Sequence, residues 1–299
     1  MTYIQPKNYE DKTFVDIDWW LGNTNNYNCS YEHSILKAGN MPWPHINTVN
    51  NFVEQLWERY CRDRNSSFNV KLTGGEVTLW EGLVPAVTKL RNRGFRSIVR
   101  TNGSGSLELY KSLLPMVGGW ELVFHVEFAN PEYFEQVLDT LSESIGSVVV
   151  SFKYLPSKSN LLDTLYTKWT QRFPNISFSK DVIFEDPLIH KKPMQYTPAQ
   201  QEQLIEQQPK PIEKDTTEET NQNEMYLQAT NAFRGYLCWA GVDQFIIDAR
   251  GDIYRGHCRA GGPIGKVSDP TVELPMDPIE CPFDRCFNGF DMNAKKSKD

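Results

Sequence analysis

The sequence predicts an α/β fold: a partial (β/α)6 barrel followed by a small cysteine-rich C-terminal extension. Two observations predict it. Over the first 185 residues, short apolar runs alternate with longer stretches whose apolar residues recur at helical spacing. Four of the six cysteines, Cys238, Cys258, Cys281 and Cys286, then fall within the last 62 residues. The alternation implies a parallel sheet with right-handed crossovers, and six units are too few to close an eight-fold barrel. Ligands of such sheets bind beyond the carboxyl ends of the strands, so the loops after strands one to three are the informative ones.

Each element has its own signal. Phe14 to Leu21 is apolar and aromatic and suits a buried first strand. Residues 46–63 repeat Val49, Phe52, Val53, Leu56, Trp57 and Tyr60 at helical spacing, which leaves Cys61 as a core residue of that helix. The run 68–73 is a second strand ending at Gly74-Gly75, and Leu79 to Arg93 is a helix closed by Gly94. Arg96 to Thr101 is the third strand, 106–116 a helix and Leu122 to Phe128 the fourth strand. Pro131 suits the first turn of the next helix. Ser147 to Tyr154, a helix over 160–173 and Ile176 to Phe184 complete the six units.

Residues 196–207 read as a short helix and 208–224 as a polar, mobile linker. Phe245–Ile247 and Ile253–Tyr254 around Gly251 read as a hairpin. The expected division is therefore 1–195 for the partial barrel, 196–230 for the helix and linker, and 231–299 for the extension.

Composition bounds the function. With 299 residues, 39% of them apolar, the chain fills a sizeable core, so global disorder is excluded. No apolar run approaches the length of a membrane span, and the opening MTYIQPKNYEDKTF has no apolar core of a secretory signal. A cytoplasmic, reducing location is expected, where clustered cysteines more often hold metal or do redox chemistry than form structural disulfides. The net charge of −7 argues against a broad nucleic-acid surface, although a local basic patch stays open.

Three loops carry the chemistry. After strand one, Asn25, Cys29 and Glu32 have x3 then x2 spacing, with Tyr31 before the last position. After strand two comes Gly74-Gly75-Glu76-Val77, and after strand three Thr101-Asn102-Gly103. Together these resemble the radical SAM superfamily, over roughly residues 14–185. That family's first loop reads Cys-x3-Cys-x2-Cys, and its thiolates hold a 4Fe-4S cluster whose open iron binds S-adenosylmethionine. Its second motif reads Gly-Gly-Glu-Pro. The segment Gly39 to Pro44 is also similar to a stretch of radical SAM-like proteins of tailed phages.

The resemblance implies that Tyr31, Gly74, Gly75, Glu76 and Asn102 border S-adenosylmethionine and that Cys29 ligates metal. It also implies that Glu76 accepts a hydrogen bond from the ligand's ammonium. The first loop departs from the pattern: Asn25 and Glu32 replace two thiols, and soft thiolates are what such a cluster requires. The alternative is a polar loop with one structural cysteine. His125 and Glu127, alternating around Val126, face either the barrel interior and a substrate or outward.

The late cysteines resemble the SPASM/twitch extension that follows the barrel in many radical SAM proteins. The order cysteine, strand, glycine turn, strand, cysteine and later cysteines is retained, and four cysteines suffice for one 4Fe-4S cluster. A four-cysteine zinc site is the alternative, although the spacing fits a zinc ribbon poorly. His257 is either a ligand, a neighbour of one, or solvated. Three functions follow: a degenerate relative that keeps a C-terminal cluster, an active enzyme abstracting hydrogen with an adenosyl radical, or a zinc-stapled structural protein. The partner is a small molecule, a peptide or a protein.

Overall fold

A computed structural model describes residues 13–62, 66–185, 192–206 and 221–298. Six parallel strands lie in sequential order: β1 (Thr13–Trp20), β2 (Ser66–Thr73), β3 (Arg96–Thr101), β4 (Gly119–Phe124), β5 (Ser147–Lys153) and β6 (Ser177–Asp181). Between them run α1 (Ile46–Leu56), α2 (Leu83–Asn92), α3 (Leu107–Leu113), α4 (Pro131–Leu141) and α5 (Ser159–Arg172). Among the described residues β6 has no strand partner beyond β5, so the barrel stays open.

Strand alternation sorts the side chains. Ile17, Val70, Leu72, Leu122, Phe124, Val150 and Phe152 are fully buried against the helices. The helices meet them with Val49, Phe52, Val87, Leu90, Phe134 and Trp169. At the centre of α4 and α5, Phe134 stacks on Trp169 at 5.3 Å, and Phe124 meets both edge-on at 5.1 and 5.2 Å. The opposite face of the sheet is charged. Lys71 and Arg100 approach Glu121 at 2.8 and 3.4 Å, and Lys153 approaches Asp181 at 3.1 Å.

Local signals place the element ends. Asn130 Oδ1 accepts from the Tyr133 amide at 2.8 Å, with Pro131 in the first turn of α4. Gly94, at φ +75°, ends α2 while Phe95 N donates to Leu90 O at 3.0 Å. Several expectations are corrected. The first helix ends at Leu56 and continues as a wider π-helical turn over Trp57–Cys61, which leaves Cys61 half-buried rather than in the core. The fourth strand spans Gly119–Phe124, so His125, Val126 and Glu127 lie in the turn beyond it. After α6 (Pro198–Glu206), most of the expected linker lies outside the described residues. Its end forms α7 (Gln222–Leu227), capped by Asn221.

The extension continues the barrel's own sheet. β7 (Leu237–Cys238) leads to β8 (Gln244–Ile247), which pairs in parallel with β1, placing Ile17 opposite Phe245. β9 (Asp252–Tyr254) and β10 (Pro263–Lys266) follow antiparallel, and Gly251, at φ +78°, makes the β8–β9 turn. β11 (Ile279–Glu280) and β12 (Lys296–Ser297) flank β7 in a small second sheet, with α8 (Gly289–Asn293) between them in sequence. The extension also packs on the π-helical turn after α1: Tyr60 Oη donates to Val272 O at 2.9 Å and accepts from Leu274 N at 3.0 Å. No helix of the described residues is long and apolar enough to cross a membrane.

Glu135 joins α4 to α5. Its carboxylate accepts from Lys168 Nζ at 2.6 Å and Trp169 Nε1 at 3.1 Å, and it pairs with Arg172. Burial raises its pKa, but these partners outweigh burial and hold it below the ordinary 4.5. With the folded pKa depressed, the stabilisation is present above pH 4.5 and is lost as pH falls through the lower folded value. Glu135→Gln is expected to cost about 1–2 kcal/mol at pH 7, less than a fully buried pair because the two cations are half exposed. Urea unfolding at pH 7 and at pH 3.5 checks this: the gap between wild type and variant should narrow at the lower pH.

Candidate functional site

The first loop is organised around Asn23, which is fully buried. Its Nδ2 donates to Ile35 O and to Asn40 Oδ1, each at 2.8 Å, and its Oδ1 accepts from Met41 N at 2.8 Å. One amide thus ties the start of the loop to the segment that closes it. The sequence reading passed over Asn23, because a lone Asn in a polar loop carries no signal of its burial.

The second loop packs directly on the first. Gly75 N donates to Gly22 O at 2.8 Å, and Glu76 N donates to Thr24 O at 2.7 Å. A Cβ on Gly75 would stand 1.9 Å from Thr24 O, and one on Gly74, at φ +143°, would stand 2.6 Å from Gly22 O. The glycine pair is therefore required by the approach of the chain itself.

Glu76 is fully buried and turns into the protein. Its Oε1 accepts from Thr78 N at 3.0 Å, Thr78 Oγ1 at 2.6 Å and Thr101 Oγ1 at 2.7 Å, while Oε2 accepts from Asn102 N at 2.7 Å. Burial raises its pKa against these four lowering bonds. Three of these bonds fall on Oε1 and one on Oε2, which keeps one lone pair uncommitted. Glu76 thereby locks the second loop to the third. Asn102 is likewise engaged, donating from Nδ2 to Asn26 Oδ1 at 3.0 Å and Asn25 Oδ1 at 3.4 Å.

The turn after β4 completes the mouth. His125 and Glu127 both reach the first loop. Glu127 accepts from Ser30 N at 2.7 Å and Ser30 Oγ at 2.6 Å. His125 is buried, with Nδ1 3.3 Å from Cys29 Sγ and 3.0 Å from Tyr31 Oη. The Tyr31 ring stacks on the imidazole at 5.9 Å and 5°. Glu32 Oε1 lies 3.9 Å from His125 Nε2, beyond hydrogen-bond reach, and Glu32 Oε2 is buried with no hydrogen-bond partner. Cys29, Glu32 and His125 each offer one ligand atom, and these atoms lie within 4.8 Å of one another. Asn25 does not join them: its Oδ1 accepts from Tyr27 N at 3.0 Å.

Electrostatics hold these groups toward their neutral forms. Burial, then the Lys153 and Arg100 charges, pull His125 down to about 3, so the imidazole is neutral at pH 7. Burial and the neighbouring Glu32 push the Cys29 thiol up to about 12. Burial also raises Tyr31 and Glu32.

In the extension, Cys238 sits in β7 opposite Ile279 and Lys296, and Cys281 packs beside it. Cys238 and Cys258 lie within electrostatic reach of each other, as do Cys238 and Cys281, and Cys258 and Cys286. Asp291 Oδ1 and Oδ2 accept from the His257 and Cys258 amides, each at 2.8 Å. Burial, followed by the Asp291 charge, pushes Cys258 and Cys286 up to about 12. All four thiols are free. Among the described residues no three of these sulfurs are mutually within 4.8 Å. His257, half-buried, pairs through Nε2 with Asp18 Oδ2 at 3.0 Å.

Gly75→Ala is expected to destabilise the protein by about 3 kcal/mol, because an added methyl must displace the Thr24 backbone. A lowered urea midpoint with an unchanged denaturant slope checks it. A wild-type midpoint would show that the two loops part readily.

No protein-family model matches the chain, and no curated protein matches its sequence. Solved structures do. Native anSMEcpe with bound AdoMet and Kp18Cys peptide is 13% identical with a TM-score of 0.59, over 86% of this chain and 79% of that one. Native anSMEcpe with bound AdoMet is 13% identical with a TM-score of 0.57, over the same shares. At this identity the likeness is one of fold. The chain shares the open α/β barrel fold of these structures.

Proposed function

We propose that this chain is a degenerate radical SAM-type protein that keeps an iron–sulfur site only in its SPASM/twitch-like extension. The observation that carries the reading is the commitment of the mouth residues to the protein itself. Glu76 accepts four hydrogen bonds from the chain, Asn102 is bonded to the first loop, and one thiol stands where the family has three. Such a mouth lacks two of the three thiolates that hold the family's cluster.

The extension keeps the four cysteines. Cys238, Cys258 and the Cys281–Cys286 segment come from three parts of the extension, and Cys281 packs beside Cys238. Their sequence spacing fits a zinc ribbon poorly and favours a 4Fe-4S cluster over zinc. When bound, the cluster would supply electron transfer or a structural staple. Asp291, through the Cys258 and His257 amides, holds one of its ligand loops in place. The charged inner face and open mouth suit a peptide or protein segment as partner, the kind of ligand bound to anSMEcpe.

Anaerobic reconstitution with iron and sulfide tests the proposal. About four irons with four labile sulfides per chain are expected, lost in Cys238→Ala/Cys258→Ala and retained in Cys29→Ala. Incubation with S-adenosylmethionine and a strong reductant should release no 5′-deoxyadenosine. About eight irons with 5′-deoxyadenosine release would instead establish the active-enzyme alternative. Zinc without labile sulfide would establish the structural one.

A further inference from the structure

We propose that Cys29, Glu32 and His125 form a mononuclear site for a late first-row divalent ion such as zinc or iron(II), at the mouth of the barrel. The site is built from two places far apart in sequence, the first loop and the turn after β4. It is distinct from the Cys-x3-Cys-x2-Cys pattern, because His125 enters and Asn25 stays out.

Three observations carry it. The first is spacing. Bonds of about 2.3 Å to sulfur and 2.0 Å to nitrogen at a tetrahedral angle require roughly 3.5 Å between the two ligand atoms. Cys29 Sγ and His125 Nδ1 are 3.3 Å apart, and a carboxylate oxygen of Glu32 completes a set within 4.8 Å. The second is the unmet oxygen. Glu32 Oε2 is buried without a hydrogen-bond partner, a costly state that a cation against the carboxylate relieves. The third is the donor set. One sulfur, one nitrogen and one oxygen donor suit zinc or iron(II), and three protein ligands leave a fourth position open, as in catalytic rather than structural zinc sites.

The surrounding residues fit that role. Glu127 fixes the Ser30 backbone between the two loop ligands, and Lys37 holds the Cys29 carbonyl. Tyr31 Oη, 3.0 Å from His125 Nδ1, is the hydroxyl placed to bond a water on the ion. A thiolate and a carboxylate neutralise a divalent charge, and the thiol proton leaves to solvent as the ion enters.

The reading rests on the proposed function only in that the first loop builds no cluster. Anaerobic titration with Co²⁺ tests it in the full chain carrying Cys238→Ser/Cys258→Ser, which removes the late site. One equivalent of Co²⁺ should bind, with visible ligand-field bands of tetrahedral strength and a near-ultraviolet sulfur-to-cobalt band. Adding Cys29→Ser should abolish the sulfur band, and adding Glu32→Gln or His125→Gln should weaken binding at least tenfold. As a check on folding, Cys29→Ser alone should remove one equivalent from the total bound by the otherwise unaltered chain. Unchanged cobalt binding in the Cys29 and His125 variants, or no binding in the parent, overturns the proposal. Labile sulfide dependent on Cys29 after reconstitution overturns it together with the proposed function. A Cys29-dependent cobalt site in a chain whose late cysteines take up no iron leaves this site standing and removes the other.

Discussion

Thr24 and Gly75 meet backbone to backbone, at a separation that leaves no room for even one methyl group. That contact sets the rest of the mouth. It delivers Glu76 into the interior, where the carboxylate collects donors from its own turn and from the end of β3. Asn102, positioned by its own amide on Glu76, then reaches back to Asn25 and Asn26. Three loops far apart in sequence thus close a ring of hydrogen bonds. Glu76, Thr101 and Asn102 at its centre are buried, so the bonds among them are electrostatically stronger than in water and their loss is costly.

This ring gives the motif residues of the sequence a structural task in the chain itself. In the resembled pattern, glycine lets backbone approach a ligand and glutamate receives it. Here the approaching group is the first loop, and the glutamate is spent on the chain. Cys29 and Glu32 of the first loop face the buried imidazole of His125. The extension, in contrast, keeps four sulfurs beside a small sheet, Cys238 lying in its central strand.

Much of the fold was legible because its signals are local. Val49, Phe52, Val53 and Leu56 repeat with helical period, Pro131 and Gly94 mark helix ends, and the strand alternation follows from burial on one face. The boundary of β4 was misread, since Val126 and Phe128 continue the apolar alternation although the backbone turns after Phe124. The site was legible as three loops, and not as a set of contacts. Nothing local links Cys29 to His125, 96 positions away, or Asp18 to His257, 239 positions away. Those pairings depend on crossovers and on a parallel β1–β8 pairing that no short pattern encodes. Glu76 illustrates the same limit: its spacing identifies a loop, and only the fold decides which way the carboxylate points.

The pairing of β8 with β1 has one more effect. An eight-residue strand rich in aromatic and branched side chains would otherwise present its bare amides and carbonyls to other molecules. The hairpin moves that boundary outward to β10, which is four residues long, carries Pro263 and Lys266, and slips register between Pro263 and Gly265. Such a rim is a poor template for a foreign strand. A chain cut before residue 231 would uncover β1 and turn a guarded sheet into one prone to self-association.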